Sequence, residues 1–273
     1  MKKNCRAKDG KVVFGAARIF QGLCCAILFA CGATARAETF QFYQTASIPT
    51  LGIASYAGVS SLRIRDNLLN GASNANMFMG DSGNDADNRC LLRFNFSALS
   101  GWTVVSDGTL QLTVNQVDGS PGIDDFFDLH LIYPTNAEWT TANSTWNWLS
   151  ITPASAWKNA LGADLPTGTG TDGIPNTLLG GLGNPGDGYE AAPIATINRA
   201  SYAVSDVLTA TIPAAAIQTL ISDGAAPRGI LFRLRDEDNF GRIQVMNASS
   251  GAAGPNLTFN AEPASGIADW KAY

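Results

Sequence analysis

The stretch GDSGNDADNRCLLRFNF, Gly80–Phe96, decides the fold. In its second half Leu92, Phe94 and Phe96 alternate with Leu91, Arg93 and Asn95. A period of two marks a strand with one apolar and one polar face. The same period recurs where Leu62 and Ile64 alternate with Arg63 and Arg65, and where Leu110, Leu112 and Val114 alternate with Gln111, Thr113 and Asn115. Further strands are expected over 39–44, 75–79, 127–133, 206–211, 229–235, 241–247 and 256–260. One helix stands out in IPAAAIQTLISDG: Pro213 suits a first turn, Ile217, Leu220 and Ile221 share a stripe, and Gly224 ends it. Many two-faced strands and a single short helix predict an all-β protein, an antiparallel β-sandwich.

The first half of that stretch, with three Asp and two Asn in a few residues, reads as a turn between strands. A longer irregular region spans 154–190 and includes GADLPTGTGTDGIPNTLLGGLGNPGDG, rich in Gly and Pro. Strands are needed on both sides of it to complete the sheets, so it is expected as a long loop or insertion inside one domain.

The N-terminus reads as a secretory signal over 1–37. Basic residues from Lys2 to Arg18 precede an apolar run, Ile19–Ala33, and Ala35-Arg36-Ala37 is a small-x-small cleavage pattern. A lipoprotein anchor at Cys31 is the competing reading of the same segment. One sandwich domain over 38–261 and a disordered tail over 262–273 are expected to follow. Removing the leader leaves 11 Lys and Arg against 22 Asp and Glu, a formal charge of −11. So acidic a chain is not expected to bind nucleic acid. Four of the five cysteines leave with the leader, so Cys90 has no partner for an internal disulfide. It is expected to be a small, partly buried side chain rather than a reactive thiol. No segment past Glu38 is apolar over the ~20 residues a membrane helix needs.

Several segments in order resemble a known family. NRCLLRFNFSAL (88–99), GTLQLTV (108–114), EWTTANSTWNW (138–148), RGILFRLR (228–235) and GRIQVMNASSGAAGPNLTF (241–259) are similar to the landmarks of DNRLRE-type domains. These are also described as family 96 carbohydrate-binding modules and are related to a portion of disaggregatase-like proteins. Asn95-Phe96 departs from the Asp-Leu usual in the family. The resemblance implies a jelly-roll-like sandwich, secreted or at the cell surface, that binds polysaccharide, acidic sugars among its ligands. A sandwich of this kind often carries one structural calcium.

If Leu62, Ile64, Leu92, Phe94, Phe232, Leu234, Ile243 and Val245 point inward, then Arg63, Arg65, Arg93, Arg233, Arg235, Arg242 and Gln244 point outward. Arginines gathered on one sheet face would meet carboxylate or sulfate groups through planar, two-pronged contacts. The competing reading is that they form ion pairs across the sheet, with acids such as those in RDEDN, 235–239. Among the tryptophans, Trp139 and Trp146 are expected in the core, while Trp148 and Trp157 are free to stack on a sugar. For calcium, Asp81, Asn84, Asp85 and Asp87 form one oxygen-rich set, and Asp118, Asp124, Asp125 and Asp128 another. Neither follows the EF-hand spacing, and both also read as solvated turns.

No catalytic set is marked. His130 is the chain's single histidine, expected on the polar side of its strand as a surface or hydrogen-bonded imidazole. The reading that follows is a non-catalytic polysaccharide-binding protein. A polysaccharide lyase or glycoside hydrolase is the first alternative, and a structural surface or matrix protein is the second.

Overall fold

In a computed structural model of the protein, the described residues are 36–65, 76–81, 87–118, 126–137, 139–145, 148–151, 153–165, 182, 186–198, 202–224, 227–235 and 242–264. In chain order their strands are β1 (Glu38–Phe42), β2 (Val59–Arg65), β3 (Asn76–Asp81), β4 (Asp87–Phe94), β5 (Trp102–Val104), β6 (Gly108–Asp118) and β7 (Phe126–Leu131). They continue with β8 (Trp148–Ile151), β9 (Ala154–Ala156), β10 (Ala195–Asn198), β11 (Val207–Ile212), β12 (Ile230–Leu234), β13 (Arg242–Met246) and β14 (Asn256–Pro263). The helix α1 (Ala214–Ser222) lies between β11 and β12.

The protein is all-β and antiparallel. One sheet half runs β2-β4-β12-β7-β10, and the other runs β1-β14-β6-β13-β3, with β11 paired to β6 and β5 to β14. The halves join where β3 meets β4, at Gly80 opposite Asn88 and Asp81 opposite Asp87. The sandwich expected from alternation is therefore present, built on a sheet continuous through this corner.

The main core lies between the halves, because each contributes its apolar set to it. Leu92, Phe94, Leu129, Ile230 and Phe232 come from one half, and Phe40, Phe42, Leu110, Val245 and Phe259 from the other. Phe42 lies edge-on to Phe96, with ring centroids 4.9 Å apart, and stacks on Phe259 at 5.7 Å. Offset and edge-on ring pairs add about 0.5–1.5 kcal/mol each beyond area burial. The stripe of α1 closes this core with Ile217, Leu220 and Ile221, as its spacing predicts.

A second apolar cluster lies on the other side of β4. Leu91, Leu62, Ile64 and Leu231 pack there against Ile132, Trp139, Leu149, Trp157, Leu182 and Tyr189. Described residues between β7 and β10 thus roof the outer face of the first sheet half. The described residues of the 154–190 region belong to that roof: β9 pairs with β8, and Trp157 and Tyr189 are fully buried. Asn136 fastens it, donating to Lys158 O and Gly188 O while its Oδ1 accepts from Lys158 N. Gly229 has φ +86°, and a Cβ there would stand 2.7 Å from Leu92 O, so only glycine lets β12 enter beside β4 and beneath Trp139.

Strands β5, β8, β9 and β10 escape the sequence pattern because three or four residues carry too little periodicity. The tail was expected from 262, but β14 continues through Pro263, with Ala261 and Glu262 paired to Val104 and Thr103. The leader with Cys31 (1–35), residues 166–181 and 183–185, and the end from 265 lie outside the described residues.

Candidate functional site

Strand pairing places each expected arginine on a face, since residues directly opposite in register share one side. Leu91 faces Leu62 on one neighbour and Leu231 on the other; Arg93 faces Ser60; Arg89 faces Ile64. Continuing across the half, Leu231 is opposite His130, Arg233 opposite Asp128, and Asp128 opposite Thr196. Arg89, Arg93, Arg233, Asp128, His130 and Thr196 therefore stand on one sheet face. Alternation of Arg93 and Arg233 with core residues is as expected.

For β2 the assignment is the reverse of the expectation. Leu62 and Ile64 pack in the second cluster, on the arginine face, whereas Arg63 is opposite Cys90 and Arg65 opposite Asn88, on the side of the main core. The Arg63 guanidinium lies over the Phe78 ring, 4.6 Å from its centroid. Period two divides a strand into two sets, and β2 has an apolar layer on the side where solvent was assumed. Arg63 and Arg65 consequently do not join Arg93 and Arg233.

The arginine face is also covered, which corrects the picture of an open binding surface. Arg93 donates to Trp139 O at 2.9 Å and lies over its ring at 4.5 Å. Burial lowers its pKa from the ordinary guanidinium value. Arg89 is 0% exposed and donates to Leu182 O. Arg233 donates to the Tyr189 hydroxyl at 3.1 Å. These guanidinium groups meet backbone oxygens and a phenol of the roof, so they anchor it.

His130 lies under the same roof with 2% exposure. Its Nδ1 is 2.8 Å from Glu190 O, which makes Nδ1 the protonated nitrogen of a neutral ring, and Tyr189 lies edge-on to it at 5.0 Å. Nε2 is buried and, among the described residues, has no hydrogen-bond partner. Burial, the largest influence, lowers its pKa; Glu190 O and Asp128 oppose this, and Arg233 and Arg89 reinforce it. The polar side of its strand was foreseen, but not the roof that buries it.

The open part of the face is its margin on β7, β10 and the end of β12. Arg235 holds Asp128 in a two-pronged pair, Nη2 to Oδ1 at 2.7 Å and Nε to Oδ2 at 2.9 Å, yet keeps 49% of its side chain exposed. Thr196 donates to Asp128 at 2.8 Å, and the Arg235 guanidinium lies 4.8 Å from the Phe126 ring centroid. Burial works against the Asp128 charge, but the bonds from Arg235 and Thr196 win and hold its pKa below the ordinary carboxylate value. The cross-strand ion pair weighed against a binding face is thus present at this position, while the partner comes from β7 rather than from 236–239.

The remaining expected residues separate from this margin. Gln244 is 5% exposed and lies in an amide ladder, donating to Gln116 and accepting from Asn76. Trp157, expected to be free, is 0% exposed and donates to Thr145 O at 2.9 Å. Trp139 is buried as expected. Arg242 is opposite Gly80 and Asp118. The side chains of Arg242 and Trp148, and all of Trp146, lie outside the described residues. So do Asn84, Asp85, Asp124 and Asp125, and the side chains of Asp81, Asp87 and Asp118. Asp128 is committed to Arg235, and among the described residues no group of three His, Cys, Asp or Glu is placed to hold a metal ion. Among these residues, too, no helix is long and apolar enough to cross a membrane.

Arg89 and Tyr189, central to the roofed cluster, were not singled out in the sequence. Arg89 was within reach, being two residues from Leu91 in the alternating run; Tyr189 sits in an aperiodic segment and leaves no such signal. Compared with models of protein families and with curated proteins, the chain matches none.

Proposed function

We propose that this protein is a secreted, non-catalytic polysaccharide-binding sandwich that grips an acidic chain at the open margin of its arginine face. The observation that carries the reading is Arg235, half exposed and fixed by Asp128, with Arg233 one step away on the same strand face and the Phe126 ring beside it. A guanidinium already oriented loses little freedom when it meets a sugar carboxylate, and a ring edge offers apolar surface to a pyranose. The resemblance to carbohydrate-binding modules points the same way.

Retention on an acidic polysaccharide such as alginate tests it. Retention should fall with salt, and Arg235→Ala should weaken it about tenfold, as expected for the loss of one charge-assisted contact. Full retention by Arg235→Ala would overturn the assignment of this margin.

A second reading, a polysaccharide lyase, draws on the Tyr189 hydroxyl, held by Arg233, and on His130, whose ring lies edge-on to that of Tyr189. A lyase needs a base, an acid and a cation near a uronate, and these residue types meet that need. Both side chains are almost fully buried, which favours binding over turnover. Unsaturated chain ends appearing during incubation would decide for the lyase.

A further inference from the structure

We infer that the outer face of the second sheet half is a separate docking surface for an uncharged, hydroxyl-rich polysaccharide. The register aligns Gln41, Thr258, Thr109 and Thr211 side by side across β1, β14, β6 and β11. The next row along is Asn256, Gln111 and Thr209. Beyond the first row, Thr39 donates to Asn260, directly opposite it, at 2.7 Å. With strands about 4.8 Å apart, the first row places four polar side chains across roughly 14 Å.

Three observations separate this face from an ordinary solvated one. Neither row contains a charged residue, although exposed sheet edges are commonly guarded by lysine and exposed strands by opposite-charge pairs. High strand propensity explains threonine here, but it does not explain the lack of charge. Second, Gln41, Gln111, Thr209 and Thr211 are exposed, and among the described residues their side chains make no hydrogen bond within the protein. Third, Asn256 is only 9% exposed, and among the described residues its buried Oδ1 has no hydrogen-bond partner at the end of its row.

The chemistry selects the occupant. Threonine presents a methyl and a hydroxyl on a stiff side chain, and glutamine and asparagine present both donors and acceptors. Such a surface matches the mixed C–H and hydroxyl face of a neutral sugar. It offers no cation to an acidic one, so it differs in ligand class from the arginine margin.

Retention of the purified protein on insoluble cellulose, chitin, β-1,3-glucan and starch, in low salt and in 1 M NaCl, tests the inference. At least one neutral polymer should retain the protein equally at both salt concentrations. The double variant Thr109→Lys, Thr211→Lys should lose about tenfold in retention, and Gln111→Glu should weaken it if the lysine pair fails to fold. Arg235→Ala should leave it unchanged, so that failure here and failure at the acidic-polysaccharide margin are distinguishable. No retention on any of the four polymers, or equal retention by folded variants, would overturn the inference. So would self-association or ice-growth inhibition that the same variants abolish in the absence of glycan binding.

Discussion

Arg93 lies over Trp139, its guanidinium carbon 4.5 Å from the ring centroid while Nη1 donates to the Trp139 carbonyl at 2.9 Å. Trp139 in turn donates its indole N–H to Arg228 O at 2.8 Å, beside Gly229. One arginine on β4 and one tryptophan of the roof thus clamp the second apolar layer to the sheet.

Arg93→Ala should therefore act on stability. Losing a partly buried cation–ring contact and a charge-assisted hydrogen bond is worth about 2 kcal/mol. Urea unfolding should show the loss, with Arg93→Lys intermediate because a point charge cannot both stack and donate in this geometry. Unchanged stability with lost glycan retention would instead return Arg93 to the role of a ligand contact.

The pH dependence of stability should carry a contribution from His130. Because its folded pKa is lowered, the unfolded chain takes up this proton first, near the ordinary value of about 6.5. The neutral ring's contribution is complete above that pH and declines as pH falls below it. Urea midpoints measured between pH 7.5 and 5 should fall for the wild type, and His130→Gln should remove this part of the slope.

Trp157→Ala should open the roof more than the main core. Removing a fully buried tryptophan costs about 3–5 kcal/mol. Limited proteolysis should then cut within 132–190 while the strands around Phe42 and Phe259 stay protected. Cleavage spread evenly along the chain would show that the two layers unfold as one.

Cys90 should resist thiol reagents in the folded protein. Burial pushes its pKa far above the ordinary thiol value, against the pull of Arg63 and a bond to Phe78 O. Only the thiolate reacts readily. Mass spectrometry of the Cys90 peptide after alkylation should find it modified only when denaturant is present.

Alternation in 88–96, 108–114 and 229–235 was enough to establish an all-β sandwich and the main core set, while the helix was legible separately, from the Ile217, Leu220 and Ile221 stripe between Pro213 and Gly224. The strands are legible because burial against a sheet interior repeats every second residue along the strand. The face shared by Arg93 and Arg233 was legible for the same reason. The aperiodic segments behaved differently: Trp157 and Tyr189 sit in runs whose spacing follows no strand or helix, and nothing local marks them as buried.

What the pattern of residues settles is which side chains stand together on each strand: Leu62 with Ile64, Arg63 with Arg65. Which of those two sets meets solvent depended on the roof, whose contacts join residues such as Arg89 and Leu182, far apart in the chain. Period two is a property of one strand's backbone, whereas burial is a property of everything packed against it. Only the folded chain decides that Arg89, Arg93 and Arg233 sit in a seam beneath the roof while Arg235 at the margin of the same face stays half exposed.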